Sequence, residues 1–352
     1  MRYYYGLDSL RAIMMIFGIF IHAALFVNYS DWSYKSVHGT STIISLVFQY
    51  VSLFRMECFF ILCGFLACML FTHKDRKYFL NNRKERVMVP LLSSFILFIL
   101  IPNILIKNQL TYELKHLWFL LTLLILSLVS CYQPVLNLIK KLTLNVKFCC
   151  AISFIFFTWA VLSFVGTKIN TNGITNELFE NMILRPLYFS VFYLTGFMLF
   201  KRENLKIIEN RIYYIAFFAV VFSIASTYLY DKKYIIQNIS FVEQLFKTCS
   251  DFLSGMFISL SLLFIFLRID YSSRLINFLK DSSLIIYVSH FGVIQLLAPQ
   301  VDKISDNVYD FYIYLCLATL MSCVIIYHII NFFNFTRFLF GIRNSRRSAT
   351  TT

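Results

Sequence analysis

The sequence predicts an all-α, polytopic transmembrane helical bundle, and three observations predict it. Hydrophobic residues make up 59% of the 352-residue chain and charged residues only 14%, against about a quarter in an ordinary soluble domain. Phe alone supplies 40 residues and the mean hydropathy is +0.70, more apolar surface than a water-soluble fold can hide. The apolar residues gather in runs of about 17 to 29, long enough to cross ~30 Å of hydrocarbon as helices. A membrane β-barrel would instead show alternating segments of about ten residues. The same composition excludes disorder, a coiled coil and a secreted disulfide scaffold.

Ten apolar runs follow in order, near 7–29, 43–71, 88–106, 114–136, 148–166, 184–200, 212–230, 246–267, 283–299 and 309–333. They predict about ten helices in one bundle over 1–336, followed by a basic cytoplasmic tail over 337–352. The first run contains His22 and lacks a clustered basic leader, so it reads as a retained helix and not a signal peptide. Gly255 interrupts the eighth run, as membrane helices tolerate. The nine cysteines are scattered without CxxC or Cys/His ligand spacing. They read as small buried hydrophobes, and no metal site is expected.

The net charge of +14 does not point to nucleic acid, because no segment is long enough for a soluble binding domain. Sorted by loop, 21 of the 32 Lys and Arg residues fall in the N-terminus, the segments near 72–87, 137–147, 201–211 and 268–282, and the tail. The opposite loops carry 9, and Arg11 and Arg55 lie within runs. The positive-inside rule then puts both termini in the cytoplasm of a multi-pass inner-membrane protein, with the tail lying on anionic membrane lipid.

Ionisable groups at bilayer depth are costly, and each marks a candidate site. Arg11 and His22 are eleven residues apart, nearly three helical turns, so they share a face. Asp8 sits one turn before Arg11 and can pair with it. Arg55 and Glu57, at i and i+2, cannot face each other on one helix and need partners from another. At ~1.5 Å per residue, His22 lies about 22 Å above the inner end of the first run, Glu57 about 21 Å and Arg55 about 24 Å above that of the second. One polar level shared by a histidine, an acid and an arginine suggests a reaction chamber; a buried structural ion pair is the plainer alternative. His116, beside Trp118, and His290 are further candidates, with an interfacial anchor and a packed core histidine as their plainer readings. His38, His73 and His328 read as ordinary residues. The segment 72–87 is the densest basic stretch. Its Arg83 and Arg86, at i and i+3, share a helix face and can hold phosphate. No P-loop, dinucleotide glycine pattern, HExxH or GxSxG appears.

Several of these stretches coincide with one pattern. Leu7-Asp8-Ser9-Leu10-Arg11 with His22 resembles the Arg-x10-His opening of the acyltransferase 3 family of membrane acyltransferases. Phe59-Phe60-Ile61-Leu62-Cys63-Gly64 is similar to its FFxxSG motif, with Cys63 where Ser is usual. Arg83-Lys84-Glu85-Arg86-Val87-Met88-Val89-Pro90 resembles its cytoplasmic arginine motif, His116-Leu117-Trp118-Phe119-Leu120 its HLWFL element, and Ser283 to His290 its SxxIYxxH element. Many members carry an acid soon after the Trp motif, where Leu121-Thr122-Leu123-Leu124 stands here. The phrase Phe54 to Phe60 and the His-Leu-Trp element look most like the periplasmic-glucan succinyltransferase branch.

The resemblance implies transfer of an acyl group, acetyl or succinyl, from cytoplasmic acetyl-CoA or succinyl-CoA to a hydroxyl of an extracytoplasmic or cell-surface glycan. Acyl-CoA is the donor substrate, and no permanently bound cofactor is expected. It implies His22 as general base or transient acyl carrier. Glu57 would orient His22, and Arg55 would stabilise an oxyanion or bind a succinyl carboxylate. Arg11, Arg83 and Arg86 would serve acyl-CoA; His116, Trp118 and His290 would bind substrate. A transporter or flippase for an acidic lipid or sugar is the rival reading, with the same charges forming a pathway.

Overall fold

A computed structural model describes residues 4–28, 35–101, 113–141, 143–168, 173–234, 240–271 and 273–342. Every regular element among them is helical. They are α1 (Tyr5–Ala24), α2 (Thr42–Ser52), α3 (Arg55–His73), α4 (Arg76–Arg83), α5 (Val89–Phe95), α6 (Trp118–Cys131), α7 (Gln133–Lys141) and α8 (Val146–Lys168). Then come α9 (Gly173–Phe179), α10 (Arg185–Leu199), α11 (Arg202–Glu209), α12 (Ile212–Tyr234), α13 (Phe241–Leu267), α14 (Arg274–Asp302), α15 (Val308–Phe332) and α16 (Asn334–Leu339). Wide π-helical turns join α4 to α5 over Lys84–Met88, extend α5 over Ile96–Leu100, and join α9 to α10 over Glu180–Leu184.

Eight of these segments are long and apolar enough to cross a membrane, and a ninth arises if Lys115–Cys131 and Gln133–Ile139, bent by 89°, form one span. The bend has a local cause. Tyr132 is extended, and Pro134, which lacks an N–H, falls in the first turn of α7. The run expected over 88–106 is helical as far as Ile101, where the described residues stop. Most of the proposed tail, 343–352, also lies outside them.

The described chain separates into two compact units. One contains Phe60–Leu205 and the segment from His328; the other contains the residues up to Phe59 and Lys206–Tyr327. In membrane, helix association relies on close packing, so small residues mark the tightest crossings. In the first unit, a Cβ on Gly64 would stand 1.9 Å from the Tyr193 carbonyl oxygen, and one on Gly196 would stand 1.9 Å from that of Ile61. α3 and α10 therefore touch backbone to backbone, which accounts for the glycine of Phe59 to Gly64. Stacked rings continue the contact, Phe60 on Phe189 at 4.5 Å and Trp118 on Phe189 at 5.4 Å.

In the second unit, Gly6 lets α1 approach α13, with the Phe266 oxygen 1.9 Å from where its Cβ would be. α1, α2, α14 and α15 share a core that includes Ile19, Ala23, Ile44, Ile294, Phe311 and Leu315. α13 starts at a reciprocal Ser240–Glu243 capping box, which satisfies donors that a helix start leaves open. Six cysteines are buried as expected; Cys149, Cys150 and Cys249 are exposed, and none of the nine forms a disulfide. For Cys149 and Cys150 the reason is that α8 turns most of its surface outward, with only 6% of its apolar window buried.

Candidate functional site

The second unit brings together four side chains singled out in the sequence: His22 on α1, Arg55 and Glu57 on α3, and His290 on α14. The helix expected over 43–71 is interrupted at Leu53–Phe54, so Arg55 and Glu57 occupy the first turn of α3. A helix start is a favourable place for a carboxylate or a developing oxyanion, because it presents open N–H groups and the positive pole of the dipole. α13 covers the break. The Ser259 hydroxyl donates to the Phe54 carbonyl at 3.4 Å, and Gly255 gives Glu57 room: a Cβ there would lie 2.9 Å from Glu57 Cγ and 2.5 Å from the Leu53 oxygen.

Gly18, one turn before His22, is the floor of this cluster. A Cβ on it would lie 2.8 Å from Arg55 Nη1 and 3.1 Å from His290 Nε2. The His22 ring is 5.1 Å from the His290 ring, centroid to centroid, and meets Phe291 edge-on at 5.2 Å. His290 Nδ1 donates to the Tyr287 carbonyl. A carbonyl only accepts, so in the neutral ring Nε2 is the proton-free nitrogen, and it is the one facing Gly18 and Arg55. Arg55 is 6% exposed, and its Nε and Nη1 are buried without a hydrogen-bond partner among the described residues. Glu57 and Tyr287 act on it electrostatically. Two imidazoles and a guanidinium thus meet around Gly18, and the Glu57 carboxylate acts on that guanidinium.

The other candidates lie elsewhere. Arg11 pairs with Asp8 at 3.2 Å, as the spacing predicts. Arg83 folds onto the Phe79 ring at 4.7 Å, while Arg86 is exposed in the π turn. That wider turn replaces the α-helical register, so the face expected for Arg83 and Arg86 is not an α-helical one. His116 is buried in a short 3-10 turn behind Lys115, whose φ is +45°, a left-handed backbone uncommon for a side-chain-bearing residue. Trp118 is packed under the Arg185 guanidinium at 4.5 Å. His116 and Trp118 belong to the first unit and His290 to the second, so the three substrate-binding candidates do not share a unit.

A family profile described as an acyltransferase domain matches residues 4–330. The chain belongs to the acyltransferase 3 family. It is 28% identical over 230 residues to glucans biosynthesis protein C of Salmonella typhi, and equally to those of Salmonella typhimurium and Salmonella schwarzengrund. Each match covers 57% of this chain and 59% of the relative, so the chain spans under two thirds of the relatives' length. No solved structure matches.

Sequence reasoning set His290 apart from His22 in this acyltransferase 3 chain, and it passed over Gly18 altogether. A glycine one turn from a candidate histidine on the same face was the available signal. It also passed over a polar chain through α2, α12 and α13. Gln49 donates to Ser226 at 3.1 Å, Ser226 donates to Asp251, and Lys247 pairs with Asp251 at 2.6 Å. Lys247 and Asp251 are an i, i+4 ionisable pair inside an apolar run, which was legible. His38, expected to be ordinary, joins a clasp: its Nε2 donates to the Asp302 carbonyl at 3.3 Å, and Ser36 donates to the Asp302 carboxylate at 2.6 Å.

Proposed function

We propose that the chain is a membrane O-acyltransferase, moving an acetyl or succinyl group from cytoplasmic acyl-CoA to a hydroxyl of an extracytoplasmic glycan. The observation that carries the reading is Arg55. A guanidinium buried at membrane depth with two donors that meet no acceptor among the described residues is expensive unless a ligand uses them. A thioester oxygen that gains charge in a tetrahedral transition state is such a ligand, and α3's N-terminus adds the same polarity. Family membership supplies the reaction class. The relatives' name, which says they act in glucan biosynthesis, supports a glycan acceptor.

In this reading a histidine of the cluster takes the proton from the acceptor hydroxyl. The hydroxyl oxygen bonds to the acyl carbon, the C–S bond breaks, and CoA leaves as a thiol after regaining a proton. His22 serves as that base or carries the acyl group transiently. His290, with Nδ1 held by Tyr287, keeps Nε2 directed at the same point and positions the charge. Glu57 balances the imidazolium. Arg83 and Arg86 hold phosphate of the donor on the cytoplasmic side, Arg11 lies on the donor path, and the loop charge split sets both termini, including the 337–352 tail, in the cytoplasm. The membrane helices belong to one acyltransferase domain over 1–336.

The test uses inverted membrane vesicles supplied with radiolabelled acetyl-CoA or succinyl-CoA and a trapped glucan. Label should appear in glycan with the native chain and vanish with His22→Ala at equal protein level. Movement of intact glycan or lipid without label incorporation would replace the reading with the transporter one.

A further inference from the structure

The first unit holds a cavity of about 450 Å³ where the end of α8 meets the π turn and the start of α10, within the ~300–1,000 Å³ of small-molecule sites. Its walls include Trp159, Ser163, Phe179, Glu180, Arg185 and Tyr188. Trp159 and Tyr188 lie 4.7 Å apart, centroid to centroid, and form one aromatic wall.

Polar groups in the walls are held ready. Arg185 is fixed by Asn181 at 2.8 Å through Nη1, by Glu180 through Nε at 3.0 Å and Nη2, and by the Trp118 face. Both bonds from Arg185 fall on Glu180 Oε1, leaving Oε2 without a partner among the described residues. The Trp159 indole N–H donates to nothing there either. Ser163 is unusual for a helical hydroxyl in membrane. Thr158, on the same helix, donates to its i−4 carbonyl at 2.8 Å, whereas Ser163 makes no hydrogen bond among the described residues. An acyl chain has no use for these groups. The charge is balanced by the Arg185–Glu180 pair, which favours neither the phosphates of acyl-CoA nor a quaternary ammonium. Aromatic faces beside a free N–H, a free hydroxyl and a free carboxylate oxygen suit a pyranose, whose C–H face stacks while its hydroxyls bond.

We propose that this cavity binds a neutral hexose unit of the acyl acceptor. Its role as acceptor subsite rests on the acyl-transfer reading, whereas sugar binding itself does not.

The experiment is equilibrium binding of tritiated glucose disaccharides differing in linkage, and of octyl glucoside, to the full chain in phospholipid nanodiscs. At least one probe should bind saturably. Trp159→Leu and Glu180→Gln should each weaken it at least tenfold while the gel-filtration profile stays unchanged. Phe154→Ala, on the outward surface of α8 with 71% exposure, should leave it as it was. Disaccharide binding identifies a soluble glycan as the source; binding of octyl glucoside alone identifies a membrane glycolipid; both support the proposal. Absence of binding by every probe, or binding that survives both substitutions, overturns it. Acyl transfer that persists without sugar binding would sink this proposal alone, and sugar binding without acyl transfer would sink the reading above alone.

Discussion

Arg55 and Arg185 each open a long membrane helix, α3 and α10, and each is packed beside aromatic residues, yet their guanidinium groups are held differently. Arg185 is 27% exposed and is held by Glu180, Asn181 and the Trp118 ring. Arg55 is more deeply buried and leaves Nε and Nη1 without protein acceptors among the described residues. A guanidinium each of whose nitrogens donates to protein is a strut that shapes its surroundings. One with buried idle donors carries a desolvation cost that packing alone does not return. The comparison therefore assigns ligand chemistry to Arg55 and wall-building to Arg185.

The largest expected effect comes from crowding Arg55 without touching it. Gly18→Ala places a methyl 2.8 Å from Nη1 and 3.1 Å from His290 Nε2, so the guanidinium must move. A displacement of this size is expected to lower acyl transfer about a hundredfold, with the chain still reaching the membrane. Gly292→Ala is the matched control, because its Cβ meets nothing within 4 Å; turnover there should stay near native. Similar losses in both would mean that any added methyl in this unit is damaging, and would break the comparison.

Arg185→Lys tests the other side. It keeps the charge, loses the planar fork, and frees Trp118. The apparent melting temperature should fall, while kcat at saturating acceptor changes by no more than about threefold. A kcat loss of tenfold or more, the loss expected for Arg55→Lys, would show that the two arginines do not differ in kind.

The smallest effect belongs to the cytoplasmic cations. Arg83→Ala with Arg86→Ala should raise KM for acyl-CoA about fivefold with kcat near native, as removal of phosphate contacts outside the reacting centre predicts. An unchanged KM would return both residues to a purely topological role.

How much of this was legible depended on the range of the forces involved. Helical class and eight of the ten runs follow from local hydropathy, and the Asp8–Arg11 pair from i, i+3 geometry. What escaped depends on which helices touch. The Gly18 crossing, the convergence of His290 on His22 and the idle donors of Arg55 require three helices to be placed together. The break at Leu53–Phe54 carries no proline or glycine in the chain itself; its marker, Gly255, lies about 200 residues later. The aromatic cavity was hidden likewise, since the π turn that aims Glu180 and Arg185 into it has no periodic signature.

Acyl transfer per folded molecule by Arg55→Lys in inverted vesicles tests the account most directly, with folded protein counted by gel filtration of a fluorescent fusion. Lysine retains the charge and loses the two idle N–H directions. The account predicts unchanged folded protein and at least a tenfold loss of activity, about 1.4 kcal/mol of transition-state stabilisation. Native activity per folded molecule would contradict it, and would leave His22 and His290 without the electrophilic partner on which the proposed chemistry depends.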